Sequence, residues 1–157
     1  MGAEHDLKHI RAAIALAQQA RENGNHPFGA LLVGPDGEVL LEAQNTVNTD
    51  HDITGHAETN LVRLATQNYD AEFLAACTLY TSTEPCPMCS GAIFWANIHR
   101  VVYGLSEEGL YALTGTEHEE VLLLPCREVF AHGRKAITVV GPLLEDEART
   151  VHEGFWS

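Results

Sequence analysis

The segment Thr83–Cys89 (TEPCPMC) carries two cysteines three positions apart, directly after a short apolar run, Cys77–Thr83 (CTLYTST). The run has the length and composition of a buried strand, and Pro87 is well suited to the first position of a helix. Both sulfurs are therefore expected at a helix N-terminus, where unpaired backbone N–H groups favour thiolate over thiol. By itself the spacing fits a redox pair, half of a structural zinc site or part of a catalytic one.

Patterns of helix and strand alternate along the rest of the chain. The predicted elements in chain order are a helix over about Glu4–Asn23, a β-hairpin of Phe28–Gly34 and Glu38–Gln44, a helix over Thr54–Asn68, the strand Cys77–Thr83, a helix over Met88–Ala96, a strand Arg100–Leu105, a helix around Arg127–His132, a strand Lys135–Gly141 and a final helix from Leu143. Such alternation indicates an α/β sandwich. No repeat or linker interrupts it, so residues 1–157 are predicted to form one domain.

Acidic residues outnumber basic ones, with 22 Asp and Glu against 9 Lys and Arg and a formal net charge of −13. Proteins that bind nucleic acids normally gather a basic face that neutralises phosphates, so we expect a small, weakly charged substrate and no nucleic-acid partner. The chain lacks a signal-peptide pattern and a run of roughly 20 apolar residues, so we expect no membrane association and a cytoplasmic location. In that compartment cysteines favour metal ligation or burial over disulfides.

The segment Gly55–Thr59 (GHAET) supplies companions for the cysteine pair. His56 and Glu58 would diverge by roughly 200° in mid-helix, but at a helix tip both can face one point. His56, Cys86 and Cys89 then provide three metal ligands and leave the fourth zinc position for water, which is the arrangement of a catalytic site. Glu58 is the expected proton carrier.

The remaining cysteines do not complete a second metal site. Cys77 and Cys126 stand alone in the sequence, without the paired spacing that closes a structural zinc shell. Both are expected to be small buried apolar residues. The other histidines, including His51, His99, His118 and His132, are expected at the surface or in structural roles.

H-A-E followed by P-C-P-M-C resembles the zinc-dependent cytidine and nucleobase deaminase superfamily, whose signature is H-x-E…P-C-x-x-C. HPFGALLV, AQNTV, HAETN, TSTEPCPMCSGAIFWA and RVVYG follow in the family's order between about Gly24 and Gly104. The chain is most similar to the bacterial guanine deaminase-like branch. This resemblance implies a three-layer α/β/α sandwich with a mixed five-stranded sheet (the cytidine deaminase-like fold), one Zn²⁺ per chain and a homodimer.

The resemblance also implies an activity, which is hydrolytic deamination of a nucleobase, preferably guanine to xanthine and ammonia. His56, Cys86 and Cys89 would bind the zinc that activates water, and Glu58 would shuttle protons. The substrate contacts implied in the same way are Phe28 under the base, Asn45 on its polar edge, the amide of Ala57 on a ring acceptor, and Trp95 nearby.

Two parts of the chain depart from the family pattern. Guanine deaminase-like sequences commonly carry Asp-Pro-Thr-Ala before the histidine, whereas this chain has Asp52-Ile53-Thr54-Gly55, so a different pocket wall is expected. Their C-terminal substrate contacts do not map onto this chain. Phe155 and Trp156 are expected either to close the pocket, which would exclude water, or to make packing or dimer contacts.

Three other functions remain open from the sequence. The same zinc chemistry serves tRNA adenosine deaminases, which act on a flipped nucleotide. It also serves deaminases of another base, a nucleoside or a triazine. A zinc-stabilised binding module without turnover is the alternative outside enzymes, and the intact Glu58 argues against it.

Overall fold

The computed structural model describes residues 2–156, and one five-stranded sheet lies at their centre. The strands are β1 Gly29–Val33, β2 Val39–Gln44, β3 Thr78–Thr83, β4 Arg100–Leu105 and β5 Thr138–Val140. Their order across the sheet is β2-β1-β3-β4-β5. β1 pairs antiparallel with β2 and β3, while β3, β4 and β5 are parallel. The predicted mixed sheet is confirmed.

Helices connect and cover the strands. Within residues 2–156 they are α1 Ala3–Glu22, α2 Val47–Asp50, α3 Ala57–Asn68, α4 Ala71–Leu74, α5 Pro87–Ala96, α6 Glu107–Thr114, α7 Cys126–Ala131 and α8 Glu145–Thr150. None of these helices has the length and apolar character required to cross a membrane.

The two faces of the sheet carry separate apolar layers because side chains alternate along each strand. On one face Leu31 and Tyr80 pack with Ile10 of α1. On the other face Leu32 packs with the helix layer that includes Leu61 of α3. Full burial of each Leu or Ile contributes about 1.5–3 kcal/mol to folding. The predicted three-layer sandwich is therefore present, with helices on both sides of the sheet.

A glycine allows α1 to lie directly against the first strand. A Cβ atom at Gly29 would lie 2.5 Å from the Cβ of Leu16 and 2.6 Å from the carbonyl oxygen of Ala13. Both distances are far below van der Waals contact, so a larger residue would push the helix away. This close packing fixes the start of β1, where Phe28 enters the sheet.

Several element boundaries differ from the sequence prediction. The helix expected from Thr54 begins at Ala57, after His56 as its N-cap. The strand expected over Lys135–Gly141 is reduced to β5 at the edge of the sheet. The final helix ends at Thr150, before the terminal aromatic residues. These differences lie at element ends, where capping and pairing outweigh apolar pattern.

The sequence prediction missed α6 completely. Ser106 caps this helix through its Oγ, which accepts a hydrogen bond from the backbone N–H of Gly109 at 2.9 Å, and acidic residues fill the first turn. Ser at an N-cap followed by acidic residues is a typical helix start. Only Glu107 of this helix is buried, so the helix has no buried apolar face that an apolar sequence pattern could have revealed.

Candidate active site

The register of the sheet brings the predicted site segments to one edge. Gly29 at the start of β1 lies opposite Gln44 at the end of β2. The backbone N–H of Gly29 also donates to the Oγ of Ser82, near the end of β3, at 3.1 Å. Phe28 precedes β1, Asn45 follows β2, and the cysteine segment follows β3, so all three lie at this edge. By this edge we mean the end of the sheet at the carboxyl ends of its parallel strands, which is where ligands usually bind in an α/β sheet.

Two helices point their N-termini into this edge. His56 is the N-cap of α3, and Cys86 is the N-cap of α5, whose first residue is Pro87 as predicted. Neither side chain makes the usual capping hydrogen bond to the first turn of its helix. The Nδ2 of Asn60 donates to the carbonyl oxygen of Gln44 at 2.9 Å, which ties α3 to the end of β2.

The three predicted ligands meet with the geometry of a tetrahedral metal site. The Nδ1 of His56 lies 3.5 Å from the Sγ of Cys86 and 3.5 Å from the Sγ of Cys89. A tetrahedral zinc ion with Zn–N of about 2.0 Å and Zn–S of about 2.3 Å requires an N–S separation of roughly 3.6 Å. One imidazole and two thiolates also match the ligand preference of zinc. The residues present therefore fit a zinc ion.

The two thiols and the imidazole ring shift one another's pKa values. A hydrogen bond from the thiol of Cys89 lowers the pKa of Cys86 to about 4, and a hydrogen bond with His56 adds to this effect. The same contact with Cys86 raises the pKa of Cys89 well above its ordinary value. The hydrogen bond with Cys86 also raises the pKa of His56. The sulfurs thus share a proton, which a metal ion displaces on binding.

Glu58 is the second residue of α3, and only 5% of it is exposed to solvent. Burial raises the pKa of Glu58 to about 7, the charge of Cys86 adds to this effect, and His56 opposes it. The nearby hydroxyl of Thr81 on β3 also opposes this rise in the pKa. A carboxyl group that titrates near neutral pH can both accept and donate a proton, which is what general acid–base catalysis requires.

Glu84 fixes the loop that carries the cysteines. Its Oε1 accepts a hydrogen bond from the backbone N–H of Glu107, and its Oε2 accepts one from Cys126, both at 2.9 Å. These bonds attach the loop after β3 to α6 and α7. The sequence analysis assigned no role to Glu84. A carboxylate at the end of a buried strand was the available indication, because such a group must find hydrogen-bond partners.

The C-terminal segment packs against the same site within one chain. The ring of Phe28 lies 5.4 Å from the ring of His152 and 6.2 Å from that of Trp156. Trp156 also contacts His26 at 5.4 Å between ring centroids. Burial lowers the pKa of His26, and the nearby charge of His56 adds to this effect. The aromatic cluster therefore joins the C-terminal segment to Phe28 and His26.

The other three predicted substrate contacts, Asn45, Ala57 and Trp95, differ in how deeply they are buried. Asn45 is buried at the site edge, and its Oδ1 accepts from the backbone N–H of Val47 at 3.0 Å. Ala57 is fully buried as the first residue of α3. Trp95 lies on the outside of α5 with 80% of the residue exposed, and its ring packs edge-on against Phe94. The role of Trp95 as a substrate contact therefore stays a prediction.

The loop before His56 is tighter than the related sequence pattern allows. The backbone N–H of Thr46 donates to the carbonyl oxygen of Gly55 at 2.8 Å. A Cβ atom on Gly55 would lie 2.8 Å from the Oγ1 of Thr46 and 3.0 Å from the carbonyl oxygen of Asp52. The alanine of guanine deaminase-like sequences would require the Thr46 side chain and the Asp52 carbonyl group to shift, which gives the departure noted in the sequence a structural basis.

The sequence analysis did not single out His26 or His152. The spacing of His152 and Trp156, four residues apart, was the one available indication, because such a pair can meet across a turn. In the structure the Nε1–H of Trp156 donates to the Nδ1 of His152 at 3.0 Å. Of the alternatives weighed for the terminal aromatic residues, the structure supports packing against the site in the same chain.

Residues 3–105 match the family described as the cytidine and deoxycytidylate deaminase zinc-binding region. The chain belongs to this family. Its zinc ligands and its fold follow the pattern that the sequence resemblance implied, and the predicted family, fold class and zinc cofactor are confirmed. The coarse activity, hydrolytic deamination of a nucleobase, is that of the family.

Relatives of this chain have different substrates in their names. A probable cytosine deaminase of Schizosaccharomyces pombe is 48% identical over 154 residues, which are 98% of this chain and 93% of the relative. A guanine deaminase of Bacillus subtilis is 45% identical over 95 residues, which are 60% of each chain. The first likeness extends over nearly the whole chain, and the second does not.

Solved structures show the same variety. A guanine deaminase from Nitrosomonas europaea superposes with a TM-score of 0.74 at 24% identity and covers 91% of this chain and 80% of its own. A structure from a study of A-to-I editing by tRNA:A34 deaminases superposes with a TM-score of 0.71 at 29% identity and covers 92% and 98%. The same fold therefore occurs in a guanine deaminase and in a tRNA deaminase.

Proposed function

We propose that this deaminase acts on a free nucleobase and that its preferred substrate is guanine, which it converts to xanthine and ammonia. The grouping of His56, Cys86 and Cys89 beside the buried carboxyl group of Glu58 carries the proposal of turnover. The likeness to the Bacillus subtilis guanine deaminase supports the choice of guanine. The same grouping argues against a binding module, because a structural zinc site has no need of a buried proton carrier.

A zinc ion held by His56, Cys86 and Cys89 would lower the pKa of a water molecule and so supply a nucleophile near neutral pH. Glu58 accepts a proton from that water and transfers it to the ring nitrogen beside the amine-bearing carbon. A C–O bond forms at that carbon. Glu58 then accepts the proton of the newly added hydroxyl group and donates it to the amine nitrogen. The C–N bond breaks with its electron pair on nitrogen, and the C–O bond becomes a carbonyl. One water molecule is consumed and one ammonia molecule is released.

Three residues of the chain are proposed to hold the base. Phe28 packs against a face of the ring, and Asn45 meets its polar edge. Ala57 opens α3, so its backbone N–H has no partner within the helix and can donate to a ring acceptor. Trp95 is retained as a substrate contact only across a homodimer interface, where a partner subunit would cover its exposed ring.

The charge of the chain separates this proposal from tRNA deamination. A net charge of −13 repels a polyanion, and neutralising phosphates normally requires a basic face. The proposal therefore keeps a small neutral base as substrate and excludes nucleic acid as partner. It also keeps a single catalytic domain in the cytoplasm, where the free thiols of Cys86 and Cys89 stay reduced.

Cytosine is the second candidate, and one observation favours it. The likeness to the probable cytosine deaminase covers 98% of this chain, so it includes the C-terminal segment that packs against Phe28. The guanine deaminase match covers 60% of the chain. Because the pocket walls decide the substrate, a full-length likeness bears on specificity as well as on chemistry.

Ammonia release from the zinc-loaded protein tests the proposal. Guanine, cytosine, adenine, nucleosides, a triazine and a tRNA anticodon stem would be offered in parallel, and kcat/KM would be compared. We expect guanine to give the highest value, with xanthine as product. Turnover of cytosine alone, or of the RNA alone, would overturn the guanine assignment. A zinc-bearing protein that releases no ammonia from any of them would leave only the binding module.

A further inference from the structure

Within residues 2–156, His152 carries a buried N–H group without a hydrogen-bond partner. The Nε1–H of Trp156 donates to the Nδ1 of His152 at 3.0 Å. An indole N–H can only donate, so Nδ1 must offer its lone pair and the neutral imidazole must carry its proton on Nε2. His152 is 2% exposed, and its Nε2 has no hydrogen-bond partner within residues 2–156.

The ring of His152 is held in one place and one protonation state. Burial lowers the pKa of His152 to about 4, and the charge of Arg21 adds to this effect, so the ring is neutral near neutral pH. An Nη1–H of Arg21 donates to the carbonyl oxygens of Val151 and Glu153, at 2.9 Å and 2.6 Å. These bonds fix the residues on both sides of His152 to the end of α1.

The surroundings of His152 connect it to the proposed base site. Its ring contacts Phe28 edge-on at 5.4 Å between centroids. Trp156, which sets its tautomer, also contacts His26, and His26 lies close enough to His56 for the charge of one to shift the pKa of the other. Native proteins leave few buried N–H groups unpaired, and each exception calls for a reason such as a ligand that supplies the acceptor.

We propose that the Nε2–H of His152 donates a hydrogen bond to the bound base, at a carbonyl oxygen or an unprotonated ring nitrogen. His152 then selects bases that present an acceptor on that edge, and it rejects those that present a donor or an apolar group there. Trp156 acts as a positioning residue, because its N–H fixes the tautomer that makes His152 a donor at Nε2. This inference rests on the proposed function and names the residue that would narrow its substrate class.

NMR on histidine labelled with ¹⁵N tests the hydrogen bond directly. The sample is the zinc-loaded Glu58→Gln protein, which retains native His152 and keeps the base intact, and the His152→Gln variant assigns the resonance. We expect the Nε2–H tautomer in the free protein and a downfield shift of the Nε2 proton when guanine or cytosine is added. A bound base that leaves this resonance unmoved would overturn the inference.

Kinetics with matched variants separate recognition from structure. We expect His152→Phe to raise KM roughly 10- to 100-fold with a smaller change in kcat, because a buried polar contact to the substrate is lost. His152→Gln, which keeps a side-chain donor, should recover part of the loss, and Trp156→Phe should give an intermediate effect. His132→Gln, at an exposed histidine, is the control and should leave both constants unchanged.

The two proposals fail in different ways. If wild-type protein turns over guanine while His152→Phe keeps its KM, the proposed function stands and the role of His152 is wrong. If wild-type protein turns over no base and none shifts the His152 resonance, the proposed function itself is wrong. If His152→Phe does not fold, the NMR result on the native residue still decides the question.

Discussion

The two sides of the site are built in different ways. On the metal side the ligands are two helix N-caps and one residue of a first turn, from two short segments of sequence. On the opposite side Phe28 from the start of β1 meets His152 and Trp156 from the end of the chain. The metal side lies within the family match over residues 3–105, and the C-terminal part of the other side lies beyond it. The metal side therefore belongs to the part of the chain that the family model describes, and His152 and Trp156 do not.

Glu58→Gln should give the largest effect, because it removes the proton carrier from the metal side and leaves the ligands in place. We expect kcat to fall by roughly 100- to 10,000-fold while the zinc content is unchanged. Steady-state ammonia release and elemental analysis measure the two quantities. Glu42→Gln, at an exposed carboxylate, is the matched control. An active Glu58→Gln enzyme would refute the proton role.

Cys86→Ser should weaken the binding of the zinc ion. A hydroxyl is a poorer zinc ligand than a thiolate, and the variant also removes the partner that raises the pKa of His56. We expect zinc affinity to fall by at least about 100-fold, measured by competition with a chelator. Dialysis of the wild-type protein against the chelator should abolish activity, and added zinc should restore it. Unchanged zinc content in the variant would place the metal elsewhere.

The metal side could be predicted from sequence because its rules are local. Pro87 marks a helix start, so short-range propensity places Cys86 as its cap. His56 was placed only near a helix start, because the predicted helix began at Thr54 and the observed one begins at Ala57. His152 could not be found in this way. Its environment is created by contacts with Phe28 and Arg21, which lie more than a hundred residues earlier in the chain. Local sequence patterns do not predict contacts between residues so far apart in the chain.

The role of Trp95 stays a prediction. Its family position implied a substrate contact, and in the structure the residue lies on the outer side of α5 with 80% of it exposed. The five-stranded sheet was predictable because each strand is a short apolar run between turn residues. The loops of the pocket wall were not, since Gly55 and Thr46 are brought together by backbone bonds that no apolar pattern encodes.

Acidification should destabilise the fold through His152, on the side of the site opposite the metal. The pKa of His152 is about 4 in the folded chain against about 6.5 in an unfolded one, so the unfolded state binds the extra proton between these values. The free energy of unfolding should therefore fall as the pH drops from about 6.5 to about 4, by about 3 kcal/mol at most.

Urea unfolding at pH 7 and pH 4.5 measures this slope. His152→Gln is the control, because zinc loss and other titrating groups affect both proteins alike and cancel in the difference. The wild-type protein should lose more stability than the variant over this range. Equal losses would mean that His152 is not buried as a neutral ring.

Thr59→Val, on the metal side, should give the smallest effect, which is a modest loss of zinc affinity. The Oγ1 of Thr59 lies 3.2 Å from the Sγ of Cys89, where a hydroxyl can donate to a thiolate. Removing that donor should weaken zinc binding by about 10-fold, a typical cost for a group that supports a ligand. Thr66→Val, on the exposed face of α3, is the matched control for the same chelator competition. Equal affinities in the two variants would contradict the supporting role of Thr59.

A crystal structure of the zinc-loaded Glu58→Gln protein with guanine tests the division of the site most directly. We predict an anomalous zinc peak bonded to His56 Nδ1 and to the sulfurs of Cys86 and Cys89, with the base between that ion and the ring of Phe28. We also predict a base acceptor within hydrogen-bond distance of His152 Nε2. Zinc at other residues, or a base bound away from Phe28 and His152, would contradict the account.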